Sequence, residues 1–241
     1  VAGRLIIYPE VTSTQDVARG LALDGEPEGT AVMAINQTGG RGRSGRVWVS
    51  PPGKNLALSI ILQPKVGPSD AALLGLLTAV AVARTCEDLG AVEPGLKWPN
   101  DVLVGGRKIA GILPEAVLHG REVQFVIMGV GLNVNAEESD FPADFRASAT
   151  SLLLCSGTRW DLEETARTLL KRHEDLYDRS RAQGCGFVPS LWGTLWAHKG
   201  SMLMHDGVRA EAVGIAADGA LVLRTPDGRL DHVRSGEVLP V

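Results

Sequence analysis

Cysteine is scarce in this chain, as are aromatic side chains, long apolar runs and any excess of basic charge. Its three cysteines, Cys86, Cys155 and Cys185, are scattered without a Cys-x-x-Cys pair, which excludes the spacing of a zinc ribbon or dithiol redox centre and fits reduced, cytoplasmic thiols. Aromatic residues make up 5% of the chain, so aliphatic side chains must build most of the core. No apolar run reaches the roughly 18 to 20 residues that span a bilayer, and residues 1–11 lack a secretory-signal layout, so no membrane association is expected. A net charge of −4 gives no general attraction to nucleic acid or anionic lipid, and any basic site has to be local.

What is present is the composition of an ordinary globular protein: 241 residues, 44% hydrophobic and 22% charged, enough for one large domain plus a small module. Short apolar runs bounded by Gly or Pro predict strands over residues 4–8, 30–35 and 55–62. Between the first two, Thr12-Ser13-Thr14 reads as a helix N-cap region before Val17, Ala18 and Leu21. Helical spacing of Leu73, Leu74, Leu77 and Val80 predicts a core helix over residues 69–89, started by Ser69-Asp70; a second runs over 161–181 with Asp161 as its cap. Residues 101–104, 108–113 and 123–134 predict an antiparallel meander, in which Pro114 is expected to interrupt the strand that starts at Lys108. A short helical turn is expected at 189–197. Beyond His198, Asp206-Gly207, Asp218-Gly219 and Asp227-Gly228 separate short alternating segments, as hairpin turns do. Residues 1–197 are therefore expected to form an α/β or α+β domain, and residues 198–241 a small all-β barrel.

Three segments carry chemistry. The first is Gly39-Gly40-Arg41-Gly42-Arg43-Ser44-Gly45-Arg46-Val47-Trp48. Glycines let backbone approach a ligand closely, and guanidinium forks suit phosphate or carboxylate oxygens, so this loop could close over an anion. A solvated basic loop or an RGG-like RNA segment is the alternative, although the net acidity opposes RNA. The second is Lys97-Trp98-Pro99-Asn100-Asp101, followed by Arg107-Lys108-Ile109-Ala110-Gly111-Ile112-Leu113. Lys108 opens a strongly apolar strand, where a cation in a partly dry cleft would offset developing phosphate charge; the other reading is an edge-strand lysine that blocks aggregation. Asn100 and Asp101 either place metal or ribose or fix the turn after Pro99, and Trp98 reads as core. The third, Gly129-Val130-Gly131-Leu132-Asn133, ends a buried strand, and Asn133 could bond a ligand or cap the turn. It lacks the spacing of a dinucleotide fingerprint.

In this order, Ser13-Thr14, the Gly40-Arg41-Gly42-Arg43 loop with Trp48, Lys97-Trp98-Pro99-Asn100-Asp101, Arg107-Lys108 with Gly111-Ile112-Leu113, and Gly131-Leu132-Asn133 resemble the biotin protein ligase family. Gln15 departs from it, standing where Asn is common. The Asp-Gly-rich tail resembles the family's SH3-like C-terminal domain. The resemblance implies an α+β fold, a mixed, largely antiparallel sheet flanked by helices of the class II synthetase and biotin ligase kind. It also implies a two-step reaction in which biotin and ATP, with Mg²⁺, give biotinyl-5′-AMP, which then acylates a lysine of a biotin carboxyl carrier protein of acetyl-CoA carboxylase or a related enzyme. By position, Ser13, Thr14, Gln37, Gly40, Arg41, Gly111 and Ile112 would bind biotin, and Arg43, Arg46, Trp48 and Asn133 the nucleotide. Lys108 would touch both, with Lys108 and Arg43 as the catalytic residues. No residue is assigned to the metal. The catalytic motifs begin almost at residue 1, so a form without the N-terminal DNA-binding domain is expected, with no DNA partner and with a homodimer open. A lipoate or octanoyl transferase is the enzyme alternative on the same fold.

Overall fold

The computed structural model describes residues 3–65, 67–120, 122–236 and 238–241; at residues 68–70 and 240 only the backbone is described. Seven strands form the main sheet: β1 (Leu5–Val11), β2 (Ala31–Gln37), β3 (Leu56–Leu62), β4 (Gly95–Lys97), β5 (Asp101–Val104), β6 (Arg107–His119) and β7 (Glu122–Leu132). Their order is β1-β2-β3-β7-β6-β5-β4. Only β1 and β2 pair in parallel, joined through helix α1 (Thr14–Leu23); every other pair is antiparallel.

Alternation along the strands gives the sheet two different faces. Ala18 and Ala22 of α1 pack with Val32, Ile61, Phe125 and Ile127 on one face. Their neighbours Met33, Ile60, Leu62, Val126 and Met128 point the other way, into a larger core built with α2 (Pro68–Asp88), α4 (Leu162–Gln183) and α5 (Val188–Gly193). A short helix α3 (Leu152–Ser156) precedes α4. Strand β3 is buried at all seven positions because both of its faces are covered, which is why its sequence is an apolar run broken only by Ser59 rather than an alternation. Helix α2 is buried around much of its circumference for the same reason, and Thr78 and Thr85 donate their hydroxyls back to the carbonyls of Leu74 and Ala81. Gly67 occupies its N-cap position; the side chains of Ser69 and Asp70, expected as the start signal, lie outside the described atoms. Asp161 does cap α4, accepting from the Glu164 N–H. Among the described residues, no helix is long and apolar enough to cross a membrane.

The strand expected to stop at Pro114 runs on to His119, with Pro114 opposite Met128. The Ile112 N–H points toward Asn100, so the nitrogen of Pro114, two residues on, faces the same side. β5 begins only opposite Gly111 and reaches no further along β6 on that side, so the missing donor breaks no ladder bond.

Five further strands, β8 (Met202–His205), β9 (Val208–Ile215), β10 (Leu221–Arg224), β11 (Leu230–Val233) and β12 (Leu239–Pro240), form a second antiparallel sheet in the order β11-β10-β9-β8-β12. Asp206 and Gly207 both have positive φ, 46° and 78°, as a two-residue hairpin turn between β8 and β9 requires. This sheet is fastened to the larger one: the buried Trp98 indole N–H donates to the Gly219 carbonyl at 3.0 Å.

One buried base makes stability depend on pH. His173 of α4 is 3% exposed and stacks on Tyr177, and burial holds its imidazole down at about 4, neutral at pH 7. In the unfolded chain it would titrate near the ordinary value of about 6.5. Its contribution is therefore fully present above that value and is lost as pH falls through it toward 4, at about 1.4 kcal/mol per unit. Urea unfolding across that window should show this slope in the wild type and a shallower one in His173→Phe. An unchanged slope would assign the acid sensitivity to other groups.

Candidate active site

On the α1 face, small residues line up across neighbouring strands. Ala57, Gly131, Gly111 and Asp101 stand directly opposite one another on β3, β7, β6 and β5, and Ser59, Gly129 and Leu113 form the adjacent row. The result is a trough floored by backbone. The indole of Trp48 lies in it: a Cβ on Gly131 would sit 2.4 Å from Trp48 Cε2, and one on Gly111 3.3 Å from Trp48 Cζ3. Gln15 lies on the next glycine, where a Cβ on Gly129 would be 2.8 Å from its Cδ, and it donates to the Leu113 carbonyl at 3.1 Å.

Residues 37–48 hang over this trough as a closed loop. At its start, Gln37 Oε1 accepts from both Thr14 N (2.9 Å) and Thr14 Oγ1 (3.1 Å), while that hydroxyl also lies 2.8 Å from Ser59 Oγ. The Gly39 N–H donates to the Thr12 carbonyl at 2.8 Å. The two limbs of the loop are then bonded to each other, Trp48 N to Gly40 O at 3.0 Å and Gly42 N to Arg46 O at 2.7 Å, with Ser44 and Gly45 at positive φ at the tip. Gly40 has to be glycine, since a Cβ there would lie 2.5 Å from the Trp48 carbonyl oxygen. Of the three arginines, Arg41 turns outward and forks onto Asp16 at 2.7 and 2.8 Å. Arg43 reaches Asn100 Oδ1 at 3.4 Å, and Arg46 is exposed.

Lys108 comes to the trough through a fault in the sheet. Regular alternation would put it on the helix side with Ala110 and Ile112, which are in that core. Between β5 and β6, however, Val102 pairs with Ala110 and Leu103 with Lys108, which leaves Ile109 as an extra residue. This bulge sends Ile109 into the core and turns Lys108 over to the trough. Its ammonium lies 2.6 Å from Asp101 Oδ1 and 5.6 Å from the Trp48 ring centroid. Residues 148–150 brace the bulge, the Lys108 N–H donating to the Ser148 carbonyl and the Thr150 N–H to the Lys108 carbonyl.

Thr14, Gln37, Gly40, Trp48, Lys108 and Gly111 are thus gathered around one trough. Others from the expected set are placed differently. Ile112 is 1% exposed in the helix-side core, on the face opposite Gly111. Asn133 is buried, donating to the Thr150 carbonyl at 2.9 Å and accepting from Asn55 at 3.1 Å. Ser13 is buried at the N-cap position of α1 but makes no side-chain capping bond. Nothing in the sequence points to Ser59, to Gln15 as a floor residue, to the acidic residues Asp16 and Glu115 around Arg41, or to the Lys54–Asp140 pair at 2.6 Å as parts of this region. All of these are set by contacts between segments far apart in the chain, and of them only Gln15 is locally unusual. A concavity of about 270 Å³ lined by Leu5, Glu28, Ile60, His173 and Tyr177 lies on the helix side of the sheet and holds none of the trough residues. Among the described residues, no three His, Cys, Asp or Glu side chains cluster as metal ligands would.

Residues 8–133 match the Biotin/lipoate A/B protein ligase family, and residues 202–239 the Biotin protein ligase C terminal domain. The bifunctional ligase/repressor BirA of Bacillus spizizenii is 36% identical over 233 residues, covering 95% of this chain and 72% of its own length. The biotin–[acetyl-CoA-carboxylase] ligase of Paracoccus denitrificans is 34% identical over 208 residues, covering 82% of this chain and 85% of its own. Among solved structures, a biotin protein ligase from Aquifex aeolicus in complex with biotin and ATP superposes with a TM-score of 0.83 at 30% identity, covering 99% of this chain and 98% of its own.

Proposed function

This chain belongs to the biotin protein ligases of the biotin/lipoate A/B protein ligase family, and from that premise we propose that it adenylates biotin and passes the biotinyl group to one lysine of a biotin carboxyl carrier protein. The observation that carries the reading is the ammonium of Lys108, paired with Asp101, beside a glycine-floored trough under an arginine loop. In the first step a biotin carboxylate oxygen attacks the α-phosphorus of ATP, the bond to pyrophosphate breaks, and the mixed anhydride biotinyl-5′-AMP forms. In the second, the acceptor ε-amine attacks the acyl carbon, the bond to AMP breaks and the amine loses a proton. Both steps build negative charge on phosphate oxygens, where a fixed cation in a partly dry site is most effective.

In this reading Thr14 and Gln37 present hydroxyl and amide groups to the polar end of biotin, with Ser13 beside them, and Gly111 and Gly131 admit its apolar part. The aliphatic side chain of Ile112 backs that floor from the other face. Gly40 and the Arg41 backbone border the pocket. Trp48 leaves the trough to stack on adenine, Arg43 and Arg46 meet the phosphates, and Asn133 supports the nucleotide side through Asn55 and the Thr150 carbonyl. Mg²⁺ would enter as the ATP complex, held by phosphate oxygens and water, as is usual for this ion; the described residues do not assemble a site of their own for it. We assign catalysis to residues 1–197 and read residues 198–241 as an SH3-like domain buttressing the catalytic one through Trp98 and Gly219. The three free cysteines suit a cytoplasmic setting.

Intact mass of a biotin carrier domain, after incubation with the protein, ATP, Mg²⁺ and biotin, tests the reading: one biotinyl group on one lysine is expected. A lipoyl adduct on a lipoyl acceptor, with none from biotin, would move the chain to the lipoate branch. Removing the Arg43 guanidinium should open the lid. In Arg43→Gly, free biotinyl-5′-AMP is expected to escape about tenfold faster, in the range lost with one charge-assisted hydrogen bond. Chromatography of the nucleotide released without acceptor checks this, and unchanged leakage would remove Arg43 from the lid.

A further inference from the structure

Arg41 turns its guanidinium outward, away from the trough and toward α1. Its guanidinium is held by Asp16 of α1 in a two-bonded fork at 2.7 and 2.8 Å, and Glu115 of β6 lies 3.6 Å from it. Glu115 in turn pairs with Arg19, one helical turn beyond Asp16, so two carboxylates and two guanidiniums from three segments form one cluster. Arg41 also stands where the two limbs of the loop meet: it bridges to Val47, next to the Gly40–Trp48 bond. Fixing Arg41 therefore fixes the base of the loop that carries Arg43 at its tip and Trp48 at its end.

We propose that Asp16, assisted by Glu115, is the positioning residue of the arginine loop, latching its base to α1 so that the loop opens and closes about a fixed hinge at Arg41. The latch rests on the reading of this loop as the cover of the biotin site. The first turn of α1 then holds two points on the first limb of the loop, Thr14 holding Gln37 and Asp16 holding Arg41. Isolated exposed ion pairs contribute little, but a planar Arg–carboxylate fork within a network is the arrangement in which such a pair does contribute. A carboxylate is needed, because an amide of the same shape offers one acceptor oxygen and no charge.

The test compares Asp16→Asn and Asp16→Glu with the wild type in two assays. Trypsin cuts after arginine, so cleavage after Arg43 and Arg46 in the ligand-free protein reports loop opening without any need for activity. Asp16→Asn should be cut about fivefold faster and Asp16→Glu near the wild-type rate, with the difference shrinking in 1 M salt as the pair is screened. In the biotinylation assay Asp16→Asn should raise the KM for biotin about fivefold and leave kcat within about twofold. Equal cleavage of wild type and Asp16→Asn, or faster cleavage with an unchanged KM, would overturn the latch. If the wild type biotinylates nothing while Asp16→Asn is still cut faster in low salt, the latch stands and the assigned reaction fails.

Discussion

Lys108→Ala should form biotinyl-5′-AMP about a hundredfold more slowly than the wild type or worse, the loss typical when one charge-stabilising donor is removed from a site of this kind. The fold itself has little at stake, because the Lys108 side chain is 37% exposed and its bulge is held by backbone bonds to Ser148 and Thr150 that Ala would keep. Thermal unfolding within a few degrees of the wild type should therefore accompany the kinetic loss. Lys108→Arg should recover only part of the rate. A planar fork is no replacement for a compact ammonium that must serve a carboxylate and a phosphate in turn, and it would crowd Asp101 and the Trp48 ring. Single-turnover release of pyrophosphate measures the step directly. A fully active Lys108→Ala would remove the residue from the chemistry and revive its reading as an edge-strand charge.

Much of this fold is legible along the chain. Continuous apolar runs at β2 and β3, helical spacing in α2 and α4, the Asp161 cap and the Asp-Gly turns are local signals, and each coincides with its element within a few residues. Pro114 misleads for a physical reason: its cost depends on whether a partner strand waits opposite its nitrogen, and that is decided by where β5 begins. Strand β4 is three residues long and is held partly through Leu96, which donates to the Leu195 carbonyl far along the chain. Short strands fixed by distant partners leave no periodicity to read.

The site divides along the same line. Glycines and arginines in one loop are visible as composition, yet which arginine faces in and which faces out depends on Asp16 and Glu115, brought up by α1 and β6. The bulge that turns Lys108 over is equally hidden, since it is a property of the β5–β6 register and not of either segment alone. Asn133 shows the converse. Its type suggests a ligand contact, and the fold uses both ends of its amide to tie the end of β7 to Asn55 and Thr150.

Gly131→Val should weaken biotin binding while the protein stays folded. Gly131 lies in the middle of β7, and its φ is not among the positive ones, so a β-branched residue suits the strand. The new Cβ would begin 2.4 Å from Trp48 Cε2, too close for the ring to remain, and the trough would be filled by methyl groups where the ligand is proposed to lie. Overpacking of this kind costs about 1 to 3 kcal/mol, which corresponds to a biotin Kd raised about tenfold to a hundredfold. Calorimetric titration with biotin measures that loss. Displacing Trp48 should also red-shift the tryptophan emission of the ligand-free variant, a change absent when the same substitution is made in a Trp48→Phe background. Gly186→Ala, where an added Cβ meets nothing within 4 Å, is the control that should leave both readings unchanged. The two signals separate the causes: a red shift with wild-type affinity would mean that the ring rests in the trough but biotin binds elsewhere, whereas weakened binding without a shift would mean that the ring never lay there.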